Sequence, residues 1–178
     1  KNWPEEKRNA MADLLFSQEF KEDGSPEGIG LSLWRFNIGA GSAEQGLARD
    51  IENSWRRAEC FLNEDGTYDW DKQAGQQWFL RAAKQRGLES ILGFVNSPPV
   101  HYTKNGKAYS PGGQNINLEN GRMPDYAEFL TTVCHHFEEE GLSFDYLSPV
   151  NEPQRDWNSP GQEGSPATNK DIADLAKE

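Results

Sequence analysis

The sequence predicts an α/β fold, and more narrowly a partial (β/α)8 TIM barrel. Helical and strand-like patterns alternate along its 178 residues, which is typical of a parallel sheet with helical crossovers. Long polar segments follow the carboxyl ends of the three predicted strands, whereas the links from helix to strand are short. Because three strands cannot close a barrel, we expect the chain to cover helix 1 to strand 4 of a barrel and the following loop and helix. Strand 1 and strands 5–8 would then be absent.

The three predicted strands are short apolar segments bounded by polar ones. The first lies within residues 28–39 (GIGLSLWRFNIG). It has apolar residues in both phases of the alternation, as expected for a strand that helices cover on both faces. The second lies at 90–95 and the third at 144–150. Arg35 and Asn37 are the polar exceptions near the end of the first strand.

Helices are predicted before each of the three strands and again after the last one. The clearest helix lies between Pro124 and Gly141. Its apolar face consists of Tyr126, Phe129, Leu130, Val133, Cys134 and Phe137. Thr168 with Asp171 predicts a capping box at the start of the helix that follows the third strand. The chain has 2 cysteines, which do not form a disulfide framework, so we expect Cys134 to be a buried free thiol.

Composition and charge exclude several functional classes. The net charge of -11 argues against a nucleic-acid partner and suits a neutral substrate. No segment is apolar enough to predict a membrane span. The segment NEDGTYDWD has the look of a calcium loop, but Phe61 and Lys72 fall at its first and last ligand positions. We therefore predict a turn there, and no metal site or cofactor elsewhere.

The segment LSPVNEPQRDW, residues 147–157, places an amide and a carboxylate where the third strand ends. Pro153 cannot continue strand pairing, so Asn151 and Glu152 are left at the carboxyl edge, where barrel enzymes carry their chemistry. Cleavage of a glycosidic bond needs a carboxylic acid that protonates the leaving oxygen and a second carboxylate opposite it. Glu152 suits the acid, and Asn151 is placed to bind a sugar hydroxyl. A solvated Glu in an ordinary turn is the alternative.

Four segments together resemble glycoside hydrolase family 30, a family of retaining (β/α)8-barrel hydrolases. LSPVNEPQRDW resembles its acid/base motif, GIGLSLWRFNIGAGS its second strand, ILGFVNSPPVHYTKNG its third strand and loop, and QEGSPATN the segment after the acid/base. The resemblance extends over about residues 4–177, in the same order. The NSPPV and QEGSPATN segments are most similar to the endo-β-1,6-galactanase-like branch.

The resemblance implies a role for each matching residue. Glu152 would be the acid/base and Asn151 would contact the sugar 2-hydroxyl. The implied substrate-binding residues are Arg35, Asn37, Asn96, Tyr102 and Trp157. Alternatives remain for several of them. Arg35 is also explained by an ordinary salt bridge, Trp157 by packing under its loop, and Tyr102 with its neighbour His101 by a surface loop.

The resemblance also implies what the chain lacks. The nucleophile of the family is a Glu on the seventh strand, outside residues 1–178, so the chain alone should not hydrolyse a substrate. We expect the amino-terminal half of a retaining endo-hydrolase of a β-linked polysaccharide, with β-1,6-galactan as the best single substrate and glucuronoxylan or β-glucosides as alternatives. The remainder of the barrel would be required for activity.

Two alternatives to a catalytic half-barrel remain open. A non-catalytic carbohydrate-binding half-barrel is the alternative from another functional class. A plain barrel fragment would expose open sheet edges and self-associate. No membrane partner is expected. The protein is expected to be secreted or periplasmic, although no leader segment is visible at the start of the sequence.

Overall fold

The computed structural model describes residues 3–46, 51–159 and 161–178. Its centre is a three-stranded sheet in the order β1-β2-β3. The strands are Leu33–Asn37 (β1), Ser90–Phe94 (β2) and Tyr146–Ser148 (β3). Both pairs are parallel, with Leu33 opposite Ser90 and Leu92 opposite Tyr146, which confirms the parallel sheet predicted from the alternation.

Helices separate the strands in the predicted order. They are Glu5–Phe16 (α1), Ser42–Gln45 (α2), Ala74–Lys84 (α3), Met123–Glu139 (α4) and Asn169–Leu175 (α5). The predicted capping box of α5 is present. The backbone N–H of Asp171 donates to Oγ1 of Thr168, and the backbone N–H of Thr168 donates to the Asp171 carboxylate. None of the helices in the described ranges has the length and apolar content required to span a bilayer.

The first strand is shorter than predicted because the residues before it bond to a helix. The backbone N–H groups of Ile29 and Leu31 donate to the carbonyls of Leu14 and Leu15 at the end of α1, each at 2.9 Å. These amides therefore satisfy the last carbonyls of the helix instead of pairing with a strand. The link between α1 and β1 becomes residues 17–32, longer than the short link that the sequence predicts.

The prediction that helices cover both faces of the first strand is wrong. Phe36 and Ile91 are fully buried on the face that packs against the helices. On the opposite face Leu33 and Tyr146 are 49% and 58% exposed. Three parallel strands do not curve far enough to enclose that face, which is the inner surface in a closed barrel. Arg35 lies on this open face, because side chains two apart in a strand point the same way.

Aromatic rings fill the space between the sheet and α4. The centroid of the Phe36 ring lies 4.9 Å from that of Phe137 and 5.5 Å from that of Phe144. The face of α4 is buried as predicted, except that Cys134 is only partly buried at its margin. Cys60 is instead the buried free thiol, and burial raises its pKa to about 12. This aromatic layer fixes the strands whose ends carry the site.

Candidate functional site

Polar side chains at the carboxyl ends of all three strands are joined by hydrogen bonds. Nη2 of Arg35 donates to Oδ1 of Asn151 at 2.6 Å, and Nδ2 of Asn151 donates to Oδ1 of Asn96 at 3.0 Å. Nδ2 of Asn96 in turn donates to Oδ1 of Asn37 at 3.3 Å. We call these four residues the strand-end network. The structure thus brings together four of the residues that the sequence singles out.

Neighbouring groups hold the network in place at its β1 and β2 ends. The Arg35 guanidinium lies over the ring of Phe94, 3.6 Å from its centroid, in cation–π geometry. Gln76 of α3 accepts from the backbone N–H of Asn37 at 2.9 Å and donates to its carbonyl at 3.0 Å. Among the described residues, the hydrogen-bond partner of Arg35 is thus an amide and not a carboxylate.

Glu152 follows the network directly and has an unusual backbone. Its φ is 44°, which is uncommon for a residue other than glycine. Nε1 of Trp157 donates to its carbonyl at 3.1 Å, and the N–H of Arg155 donates to the same carbonyl at 3.0 Å. Its side chain is 56% exposed, and a pair with Arg155 at 3.4 Å constrains it weakly. The backbone is therefore fixed while the carboxylate remains accessible. Strained backbone of this kind clusters at functional sites.

The end of β3 is anchored to α4 by Tyr126. Its buried hydroxyl donates to the carbonyl of Pro149 at 2.7 Å, and burial raises the pKa of that hydroxyl. Ser148 adds a second local bond, from Oγ to the carbonyl of Val150 at 2.7 Å. These bonds set the position from which Asn151 and Glu152 emerge.

Replacing Tyr126 with Phe should lower the free energy of unfolding by about 1–3 kcal/mol, because the Pro149 carbonyl loses its buried donor. Urea denaturation of both proteins measures this difference. Tyr146→Phe is the matched control when residues 1–178 are measured by themselves, since Tyr146 is then 58% exposed on the open face of the sheet. Equal losses for the two variants would contradict an anchoring role for Tyr126.

Two predicted substrate-binding residues lie outside the network. Trp157 is 3% exposed, and its ring packs so closely on Gly164 that an added Cβ there would lie 2.2 Å from a ring atom. This burial favours packing beneath the loop over lining an open cleft. Tyr102 ends a short 3-10 turn, where it packs against the core with the Arg122 guanidinium 5.1 Å from its ring centroid. Its neighbour His101 is half-buried, and burial lowers its pKa.

The sequence analysis missed Glu163, which the structure places next to the network. It is 2% exposed. Its Oε2 accepts from the backbone N–H of Ala40 at 3.1 Å, and its Oε1 accepts from the N–H and Oγ of Ser42 at 3.1 and 2.6 Å. Together with Asn37 and Asn96 it lines a polar cleft of about 200 Å³. Nothing local predicts this burial, because its partners lie 121 and 123 residues away.

The pH dependence of stability should report on Glu163. Burial raises its pKa from 4.5 to about 7, although the hydrogen bonds from Ser42 and Ala40 oppose the change. The folded state then binds more protons than the unfolded state between these values, so the stability from Glu163 is lost as the pH rises through 7. One pKa unit corresponds to about 1.4 kcal/mol, so we expect a loss of about 3 kcal/mol.

Unfolding free energies of the wild type and Glu163→Gln, measured from pH 4.5 to pH 8, test this expectation. The wild type should lose stability relative to the variant across that range. The neighbouring Cys60 thiol stays neutral there, since its pKa is about 12. Parallel curves for the two proteins would show that Glu163 titrates at its ordinary pKa.

The segment considered as a calcium loop is a turn, as predicted. The backbone N–H of Thr67 donates to the Asp65 carboxylate at 3.0 Å, and an antiparallel bridge joins Leu62 to Tyr68. Over the ranges that the structure describes, no group of three or more His, Cys, Asp or Glu side chains is arranged to hold a metal ion.

The amide, guanidinium and carboxylate cluster lies at the carboxyl ends of parallel strands, where barrel enzymes carry their active sites. The sequence profile of O-Glycosyl hydrolase family 30 matches residues 1–178. The chain therefore belongs to glycoside hydrolase family 30, as the resemblance of its motifs predicts.

Two relatives of this chain have names that refer to β-1,6-linked galactose. An exo-beta-1,6-galactobiohydrolase of Bifidobacterium longum subsp. longum is 25% identical over 88% of this chain and 13% of the relative. An endo-beta-1,6-galactanase of Hypocrea rufa is 22% identical over 84% of this chain and 34% of the relative. The chain thus spans about a third or less of the length of either protein.

Solved structures support the fold. A conserved exported protein from Bacteroides fragilis is 48% identical, with a TM-score of 0.95 over 99% of this chain and 36% of that protein. The catalytic domain of the GH30 xylanase C from Talaromyces cellulolyticus is 22% identical, with a TM-score of 0.66 over 99% of this chain and 38% of that one. The second comparison bears on the fold alone. The chain is part of a TIM barrel, which confirms the predicted fold class.

Proposed function

We propose that residues 1–178 are the amino-terminal half of the catalytic domain of a retaining glycoside hydrolase, with Glu152 as its acid/base. The observation that carries this proposal is the strand-end network, because it gathers three amides and a guanidinium beside an accessible carboxylate. Amides and guanidinium groups are suited to binding sugar hydroxyls and an opposing carboxylate. Family membership supports an O-glycosyl hydrolase in general terms.

In this mechanism Glu152 gives its proton to the glycosidic oxygen as the bond from that oxygen to the anomeric carbon breaks. A second carboxylate, outside this chain, forms a bond to the same carbon from the opposite face. Water then attacks the glycosyl-enzyme intermediate, and Glu152 takes back a proton. The two carboxyl groups must lie roughly 5–5.5 Å apart for this route.

The network residues take roles that fit their positions. Asn151 adjoins Glu152 and is placed to hydrogen-bond the sugar 2-hydroxyl, a bond that strengthens in the transition state. Arg35 lies on the open face, where its guanidinium can hold the nucleophile and keep it ionised. Asn37 and Asn96 line the cleft of about 200 Å³ beside the network. This volume is below the roughly 300–1,000 Å³ of complete ligand sites, as expected for a site that later strands finish.

The proposed substrate is β-1,6-galactan. The two relatives are both named for β-1,6-galactan chemistry, one exo-acting and one endo-acting. We propose endo cleavage, with glucuronoxylan and β-glucosides as the alternative substrates of the same chemistry. The similar Bacteroides fragilis protein is described as exported, which supports a secreted or periplasmic location.

The test uses the complete protein, in which residues 1–178 are joined to the remaining strands. It is incubated with β-1,6-galactan, glucuronoxylan and a β-glucan, and the anomer formed first is identified by proton NMR. We expect cleavage of galactan to internal fragments with the β-anomer appearing first. The α-anomer appearing first would exclude retention, and cleavage of another polysaccharide alone would exclude galactan.

A non-catalytic carbohydrate-binding module is the second candidate. One observation favours it: the second carboxylate next to the strand-end network, that of Glu163, is 2% exposed and bonded through both oxygens, so it is not free to act as a nucleophile. Binding of galactan by the complete protein without any release of reducing ends, lost in Arg35→Ala, would support this candidate. Turnover that Glu152→Gln abolishes would exclude it.

A further inference from the structure

We infer that Glu163 is a positioning residue for Glu152, fixing the loop that carries the acid/base against the loop that follows β1. This inference rests on the proposed function. It assigns a role to a residue of the QEGSPATN segment that neither the general acid step nor substrate contact requires. Three contacts, each visible in the structure, form the path from Glu163 to Glu152.

The first contact is the clamp between the two loops. Both oxygens of Glu163 accept from the segment after β1, Oε2 from the N–H of Ala40 and Oε1 from Ser42. The Ser42 hydroxyl also accepts from the N–H of Ala58 at 3.1 Å, so it links a third segment. These bonds engage both carboxylate oxygens. Glu163 is therefore suited to holding structure and not to attacking or protonating a substrate.

The second and third contacts lead from the clamp to the acid/base. Gly164, the next residue, donates its N–H to the carbonyl of Ala108 at 2.8 Å and lies flat against the ring of Trp157. Nε1 of Trp157 donates to the carbonyl of Glu152 at 3.1 Å, where φ is 44°. The ring is thus held between the clamped glycine and the strained residue. A shift of Glu163 would move the ring, and with it the backbone of Glu152.

Replacing Glu163 with glutamine breaks the clamp, although the side chain keeps nearly the same size. An amide presents N–H groups on one side, which would face the donors of Ala40 or Ser42 and leave one unpaired. The loop then settles into a different position. Because a misplacement of about 1 Å at a reacting centre can cost about 10²-fold in rate, the effect should be large where proton donation matters.

The experiment compares Glu163→Gln, Glu152→Gln and the double variant in the complete protein. Two substrates are used, β-1,6-galactan and an aryl β-galactoside whose leaving group needs no proton. We expect Glu163→Gln to lower kcat/KM about 10- to 100-fold on galactan and less than about threefold on the aryl glycoside, because kcat/KM reports the step in which the bond to the leaving group breaks. In the Glu152→Gln background, adding Glu163→Gln should cause no further loss on galactan.

The controls separate the possible failures. Glu89→Gln makes the same chemical change at an exposed residue before β2, at the opposite end of the sheet, and should leave both rates unchanged. Ser42→Ala is the second variant, to be used if Glu163→Gln does not fold. It keeps the carboxylate and removes one of its hydrogen-bond donors, so it should lower the rate in the same leaving-group-dependent way, but less. Equal losses on both substrates, or none, would overturn the inference. Wild-type activity of Glu152→Gln on galactan would instead overturn the proposed function itself.

Discussion

Replacing Glu152 with Gln in the complete protein should lower kcat/KM on β-1,6-galactan by about 10²–10⁴-fold, the usual contribution of a general acid. A glutamine is similar in size and cannot donate the required proton to the departing sugar. The loss in kcat/KM should be much smaller on an aryl β-galactoside with a good leaving group, because that group departs without protonation. The kcat on this substrate should still fall, because Glu152 also activates the water that hydrolyses the glycosyl-enzyme. Initial rates on both substrates give the result.

The structure makes this comparison clean. The Glu152 side chain is 56% exposed, and the ion pair that it forms with Arg155 at 3.4 Å is weak, so the substitution should barely change stability. Glu89→Gln is the matched control at the opposite end of the sheet. Equal activity of the wild type and Glu152→Gln on galactan would remove Glu152 as the acid/base. An equal loss on both substrates would indicate a role other than proton donation.

Trp157→Ala should reduce the free energy of unfolding by about 3–5 kcal/mol, the range for removing a large aromatic side chain from a core. The ring is 3% exposed, the Arg155 guanidinium lies 4.6 Å from its centroid, and Nε1 bonds to the Glu152 carbonyl. The substitution therefore removes core packing and a partly buried hydrogen bond together. Chemical denaturation of the two proteins measures the loss.

The same variant distinguishes the two explanations of Trp157. If it packs beneath its loop, stability should fall and kcat on galactan should fall with it, because Glu152 loses its support. If it instead lines a sugar subsite, KM should rise while stability is unchanged. Trp55→Ala is the control, since Trp55 is 94% exposed and its replacement should change stability by less than about 0.5 kcal/mol.

The fold was predictable wherever a local pattern determines the structure. The face of α4 and the capping box at Thr168 follow from spacings within a few residues, and the parallel sheet follows from the alternation of helices and strands along the chain. The start of β1 was not predictable in this way. Residues 29 and 31 look like strand residues, but the carbonyls at the end of α1 bind their amides. That competition depends on where the helix packs, which no local pattern records.

The candidate site was likewise predictable only where a local pattern marks its residues. Asn151 and Glu152 are recognisable because a proline follows an apolar strand, and Arg35 because it interrupts another. Their placement beside one another follows from the parallel sheet. Glu163 gave no comparable indication, since a Glu between Gln and Gly is ordinarily solvated. Its burial depends on three donors supplied by a segment more than a hundred residues earlier in the chain.

This separation in sequence has a consequence for how the site is assembled during folding. Contacts between Glu163 and Ala40 close a loop of 123 residues, and the entropy of such a closure is lost before the contact is gained. Local units such as α4 can form early, whereas this junction completes only when distant parts of the chain have met. We therefore expect the segment that carries Glu152 to reach its final geometry late in folding, after local units such as α4 have formed.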